Sequence, residues 1–163
     1  MNSDFELTRH FENGYFYTFE YYPKRASVFY DKTPFVFCIG PVDNVDNLIS
    51  GLNLHHISIQ DRITLLSKLE RLYNFTQTES KHLFSESTLN SLVPGIDFGF
   101  RKYNLQNMYN VYRVKNAAVP FYLHEQGNIY LGTASDKYLR YILRETSPTI
   151  NIKKGLYFFM KET

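Results

Sequence analysis

The chain has 163 residues, 44% hydrophobic and 17% aromatic, with 14 Tyr and 14 Phe against no Trp, one Cys, and a net charge of +2. That length suits one domain of roughly 100–200 residues, with a core that needs neither metal nor disulfide, and a lone cysteine excludes an intrachain disulfide. Charge is uneven: residues 1–100 hold 8 Lys/Arg and 12 Asp/Glu, a balance of −4, whereas residues 101–163 hold 10 and 4, a balance of +6.

Met1–Asn13 is polar and reads as an arm, with Phe5, Leu7 and Phe11 available to dock it. It has no apolar run suited to a signal peptide, and no segment of the chain approaches a membrane span, so a soluble intracellular or virion-borne protein is expected. A strand is predicted over Gly14–Tyr22. Successive side chains of a strand point to opposite faces, so Tyr15, Tyr17, Phe19 and Tyr21 share one face, and Phe16, Thr18, Glu20 and Tyr22 the other. Pro23 ends this strand, because proline lacks the amide a ladder needs. A second strand is expected over Pro34–Gly40. Asp43–Asn47 then reads as a turn, and Leu48–Leu54 as a third strand. Gly40 and Gly51 beside these strands mark bends or close backbone approach.

Ser58, with Asp61 three residues on, resembles a capping box. Ile59, Ile63, Leu66, Leu69 and Tyr73 follow at three- and four-residue steps, which predicts a helix with Lys68, Glu70 and Arg71 in water. A shorter helix is expected over Glu86–Leu92, ended by Pro94-Gly95. Beyond it, Ile96–Tyr103 reads as a strand, Asn104–Asn110 as a helical turn and Val111–Lys115 as a short strand. Val119–Leu123 and Asn128–Gly132 suggest a hairpin about Gly127. Ser135 suits the cap of a helix over Asp136–Glu145, and Thr149–Ile152 with Leu156–Met160 suggests a closing hairpin. The order predicts an α+β fold, an SH3-like small antiparallel β-barrel with inserted and C-terminal helices. Its expected divisions are an arm over 1–13, a barrel-like core over 14–115 and an extension over 116–163, all in one domain.

Chemistry is sparse. Cys38 lies in the apolar run Phe35–Ile39 and reads as a buried, inert thiol. His55-His56 and Asp31 are the residues an enzyme would use, but adjacent histidines on an extended segment face opposite ways and rarely share a metal. We read the pair as packing at a strand end, and Asp31 as a turn device ahead of Thr33-Pro34. The glycines form no phosphate-cradling loop; no cofactor, no metal and no catalytic residue are expected. The basic set is more suggestive: Arg101, Lys102, Arg113, Lys115, Lys137, Arg140 and Arg144 interleave with Tyr103 and other tyrosines. Lys or Arg beside exposed Tyr suits a groove that follows a phosphate backbone and stacks bases. Lys137, Arg140 and Arg144 fall on one helical face. A solvated face or an acidic protein partner accounts for them equally well.

Phe19-Glu20-Tyr21-Tyr22-Pro23-Lys24, Tyr30-Asp31-Lys32-Thr33-Pro34-Phe35-Val36-Phe37, Gly51-Leu52-Asn53-Leu54-His55-His56 and the helical Arg62 form a pattern over about residues 14–72. It resembles small proteins of T-even-like tailed phages, in which tyrosine stands at the place of His56, and the last 40 or so residues depart from it. The resemblance implies an SH3-like barrel, in a group some of whose members are labelled DNA end protectors or head-associated proteins. The expected function is therefore non-enzymatic: virion assembly or structure in head, neck or baseplate, or binding of DNA ends. Expected partners are other phage structural proteins or DNA ends, or a host protein, with no membrane. The rivals are a small-barrel nuclease or toxin-like enzyme using Asp31, His55 or His56, and an early effector that masks a host protein.

Overall fold

Strand alternation in one short segment divides the molecule into two cores. The computed structural model describes residues 4–23, 30–42, 47–79, 82–130, 150–153 and 156–159. In chain order these form β1 (Phe5–Leu7), β2 (Phe16–Tyr21), β3 (Tyr30–Asp31), β4 (Phe35–Pro41), β5 (Leu48–Asn53), α1 (Ile59–Tyr73), α2 (Glu86–Leu92), β6 (Phe100–Asn104), β7 (Met108–Val114), β8 (Asn128–Tyr130), β9 (Ile150–Lys153) and β10 (Leu156–Phe159), linked in places by 3-10 turns. Six strands make one sheet in the order β1-β7-β2-β4-β5-β6; four make a second, β3-β8-β10-β9. Every described pairing is antiparallel.

Phe16 of β2 joins Phe35, Phe37, Leu52 and Val114 in a core closed over by Leu65, Leu66 and Leu69 of α1 and by Phe75, Phe84 and Leu89. On the opposite face Tyr15, Tyr17, Phe19 and Tyr21 pack with Val36, Cys38, Ile49, Tyr103, Met108 and Val111. The predicted division of β2 into two faces is what the fold uses. The tyrosine face needs polar partners for its hydroxyls. Tyr15 donates to Glu79 O at 2.7 Å, Tyr17 accepts from Glu12 N at 2.8 Å, and Tyr21 accepts from Asn104 N at 3.2 Å.

The sheet curls toward the tyrosines, so that Tyr103 of β6 meets Phe19 and Tyr21 of β2 edge to face at 5.3 and 5.1 Å. It does not close into the expected barrel: β1 and β6 are its two ends. Curvature is served by two irregularities. One lies between Cys38 and Gly40, where Gly40 has φ +111. The other is in β7, where the step from Thr18 to Glu20 on β2 is matched by the longer step from Tyr112 to Tyr109, and Asn110 takes φ +52. Such a bulge inserts one residue and increases local twist. Gly51 has the predicted close approach: a Cβ there would lie 2.3 Å from Val36 Cγ1 and 2.8 Å from Phe37 O.

Helix α1 begins as expected, with Ser58 Oγ accepting from Asp61 N at 3.1 Å. It ends at Asn74, which is left-handed at φ 53, a conformation asparagine tolerates better than most residues. Lys68 and Glu70, expected in water, are half-buried: Lys68 donates to Leu92 O, and Glu70 accepts from Thr76 N and Oγ1. Helix α2 has the predicted bounds, and so does the closing hairpin to within a residue or two.

Other expectations also need correction, among them the helical turn over Asn104–Asn110, which is 3-10 only over Leu105–Asn107 and gives way to β7 at Met108. The arm over 1–13 contributes an edge strand, β1, paired with β7. The strand expected from Ile96 begins only at Phe100, after a 3-10 turn over Asp97–Gly99. Val119–Leu123 is not a strand; Asn116–Tyr122 is 3-10, with Pro120 inside it. Asn116 anchors it, donating from Nδ2 to Thr78 O at 2.9 Å and from its backbone amide to Glu79 Oε1 at 3.1 Å. The hairpin about Gly127 is therefore absent, and β8 pairs instead with β3 and β10. The helix expected over 136–145 lies outside the described residues, as does the turn over 43–47 except for Asn47, which has φ 64.

Candidate functional site

Twenty-four residues apart in the chain, Asp31 and His55 meet at the junction of the two sheets. Asp31 lies on β3 at 1% exposure, and His55 in a 3-10 turn over Leu54–His56 at 4%. The expected extended strand end is this turn, because Asn53 caps it with a side-chain oxygen that accepts from His55 N at 3.1 Å and from Phe35 N at 3.3 Å. His55 Nδ1 donates to Asp31 Oδ2 at 2.6 Å, and Asn53 Nδ2 donates to the same oxygen at 3.0 Å. Asp31 Oδ1 accepts from Thr33 N at 3.0 Å, the turn bond expected of it, and from Asn128 N at 3.1 Å. One carboxylate thus ties β3, the end of β5 and the start of β8.

Burial alone would raise the Asp31 pKa. The His55 imidazole and its hydrogen bond, with help from His56 and Asn53, outweigh that and hold the carboxyl below its usual value. His56, on the same turn, is buried against the edge of Phe98 at 5.9 Å. Burial and the charge of Arg101 push its pKa well below the ordinary histidine value, so it is neutral at pH 7. Asp31 and His55 converge; no group of three or more His, Cys, Asp or Glu among the described residues is placed to hold a metal.

Arg62 is the residue whose role the sequence left unread. It sits on the buried side of α1 at 2% exposure, where the three- and four-residue stripe contains no charge. Its Nη1 donates to Leu123 O at 2.8 Å and to Glu125 O at 3.0 Å, and its Nε to Ile57 O at 3.2 Å. Burial lowers its pKa to about 10, with Asp31 opposing, so it stays charged at neutral pH and clamps the turn before β8. The one sequence signal for it was its place in the phage-like pattern.

A pocket of about 290 Å³ lies beside this network, walled by Phe5, Phe35 and Tyr122, with Thr18, Thr33 and His55 among its lining residues. Phe5 and Tyr122 meet edge to face at 5.0 Å. His55 Nε2 is buried and has no hydrogen-bond partner among the described residues. Gly127 lies against the pair: a Cβ at this position would be 2.8 Å from His55 Cβ and 3.2 Å from Asp31 Oδ2.

The basic candidates are dispersed. Arg101 and Lys102 lie on β6, whereas Arg113 is on β7 and Lys115 follows it, with β2, β4 and β5 between the two strands. Arg101 Nη1 donates to Phe98 O at 2.6 Å and Phe100 O at 2.9 Å, and its guanidinium sits 4.8 Å over the Phe98 ring. Arg113 pairs with Glu79 at 2.6 Å and Glu6 at 3.2 Å, and stacks 4.7 Å over Tyr15. Tyr103 is buried at 4%, a core residue with no open face for a base. Lys102 and Lys115 are exposed. Lys137, Arg140 and Arg144 lie outside the described residues. Cys38 is fully buried, and burial raises its thiol pKa to about 11, so it is no thiolate at neutral pH.

Large exposed apolar side chains gather elsewhere. Leu7 on β1, exposed at 70%, faces Tyr112 on β7 across the pairing. Tyr109, on the same side of β7 because of the Asn110 bulge, lies 5.7 Å from Tyr22; both are half exposed. Arg9 and Glu20 share an open cleft of about 530 Å³ with these two tyrosines and Asn110. Among the described residues no helix is long and apolar enough to cross a membrane. Compared with protein-family models, with curated proteins and with solved structures, the chain matches none.

Proposed function

We propose that this is a non-enzymatic protein of a tailed-phage virion or its assembly, built on an SH3-like curled sheet and acting by docking a neighbouring structural protein. The observation that carries the reading is the row of exposed Leu7, Tyr112, Tyr109 and Tyr22 on one side of β1, β7 and β2. Exposed aromatics set in a polar rim are the usual anchors of protein interfaces, and Arg9 and Glu20 supply such a rim. The phage origin rests on the sequence pattern over about residues 14–72. A protein partner is favoured over DNA because Arg101 and Arg113 are spent on carbonyls and carboxylates within the chain.

Quantitative mass spectrometry of purified virions tests the role. A fixed copy number per particle is expected, and absence from particles overturns it. Replacing Tyr22 and Tyr109 together by Ala, both being exposed, is expected to lower incorporation at least tenfold with little change in melting temperature. Normal incorporation would remove this face from the reading. If DNA is the ligand instead, affinity falls steeply between low and physiological salt, whereas docking through tyrosines responds weakly.

A further inference from the structure

We propose that Asn13-Gly14 is a deamidation site that the fold holds shut, so that conversion to aspartate or isoaspartate marks chains that have been unfolded. The proposal is independent of the docking role. This is the one Asn-Gly pair in the sequence. Because Gly14 has no Cβ, its backbone nitrogen is open to attack the asparagine carboxamide whenever the chain is free. The Gly14 amide gives up its proton, its nitrogen bonds to Asn13 Cγ, and the Cγ–Nδ2 bond breaks to release ammonia. Water then opens the resulting five-membered imide. Cleavage at Cγ leaves aspartate; cleavage at the backbone carbonyl carbon leaves isoaspartate, with the chain rerouted through the side chain.

The folded chain uses the two groups that this reaction consumes. The Gly14 amide donates to Cys38 O at 2.8 Å. Asn13 Nδ2, the leaving nitrogen, donates to Ile39 O and to Phe84 O, each at 2.7 Å, and Oδ1 accepts from Phe84 N at 2.8 Å. Closing the imide ring in place therefore gives up the Gly14 bond and both Nδ2 bonds, which fasten the start of β2 to β4 and to the segment before α2. Neither residue is easily replaced. Gly14 has φ +95, and a Cβ there would stand 2.6 Å from His82 O. A carboxylate at position 13 keeps the bond from Phe84 N but offers no donor to the two carbonyls, leaving acceptors to face an acceptor. The product thus fits the fold less well than asparagine does, and an unfolded chain modified there is hindered from returning.

The full chain, held in mildly alkaline buffer with and without guanidinium chloride and followed by peptide mass spectrometry, tests the site. In denaturant Asn13 is expected to convert faster than every other asparagine of the chain. It is also expected to convert at least tenfold faster there than in buffer alone, where the hydrogen-bonded segment must first open. A smaller difference between the two conditions, or conversion in denaturant no faster than at the other asparagines, overturns the proposal. Gly14→Ala is compared in denaturant, where its strain in the fold has no bearing. It is expected to slow conversion at Asn13 at least tenfold, and an unchanged rate overturns attack by the Gly14 nitrogen. Asn13→Asp reproduces one product and is expected to lower the denaturation midpoint, with failure to fold as the limiting case. A midpoint equal to that of the unaltered chain overturns the mark as a hindrance to refolding.

Discussion

Two constellations join distant parts of this chain by charge, and they do so under opposite conditions. Asp31 is fully buried and accepts from Thr33, Asn53, His55 and Asn128. Arg113 lies near the surface, between two glutamates that are themselves half exposed, Glu6 and Glu79. The first excludes water, and each oxygen of its carboxylate accepts two hydrogen bonds in place of those water would give. The second competes with water and salt, and its pairs are worth little individually. The same kinds of bond therefore lock the fold in one place and only trim the surface in the other.

The contrast is broken most directly at Asp31. Asp31→Ala removes the acceptor of two backbone amides and two side chains, and is expected to cost about 3–5 kcal/mol, as when one partner of a buried pair is lost; urea unfolding measures it. A cost below about 1 kcal/mol, the ceiling for a surface pair, would remove the distinction. Next comes Gly127→Ala, whose Cβ meets His55 Cβ at 2.8 Å and Asp31 Oδ2 at 3.2 Å. Forced overpacking of this kind is expected to cost about 1–3 kcal/mol in the same assay.

Acid sharpens the comparison further. His56 is held neutral when folded, with its pKa well below 6.5, while the unfolded chain takes up the proton. The unfolded state thus binds more protons below about pH 6.5, and stability falls as pH drops, by at most about 1.4 kcal/mol per pH unit for this one group. His56→Phe should flatten that limb in a pH series of melting curves. Asp31, whose folded pKa is lowered, adds a second loss below about pH 4, the unfolded carboxylate value, and Asp31→Ala should erase it. The smallest effect belongs to Arg113→Ala, expected to cost about 1 kcal/mol or less and to shrink as salt rises. Calorimetry at low and high salt checks both points.

Local pattern carried much of the fold into the sequence. The alternation from Tyr15 to Tyr21, the cap at Ser58 and the span Glu86–Leu92 depend on neighbours within a few residues, and all three appear as expected. Non-local facts were hidden. Nothing near Val119 announces that Asn116 will bond to Thr78 and Glu79, and those bonds are what turn a strand-like run into a 3-10 segment. His55 and Asp31 were visible as residue types, and Asp31 as a turn-former, but their meeting depends on β3 and the Leu54–His56 turn arriving together. Arg62 was hidden by its own helix, because an arginine near an apolar stripe reads as solvated until its carbonyl partners are known.

The extra residue in β7 has a consequence for how this surface can vary. Counted back from Val114 by strict twos, Met108 would lie on the Phe16 side of the sheet and Tyr109 among the tyrosines. The torsion at Asn110 advances the count by one, sending Met108 inward and Tyr109 out to water. One backbone angle therefore uncouples the outer lettering of the strand from its inner lettering. Position 109 is free to change with whatever it meets, while the methionine beside it keeps its place in the interior.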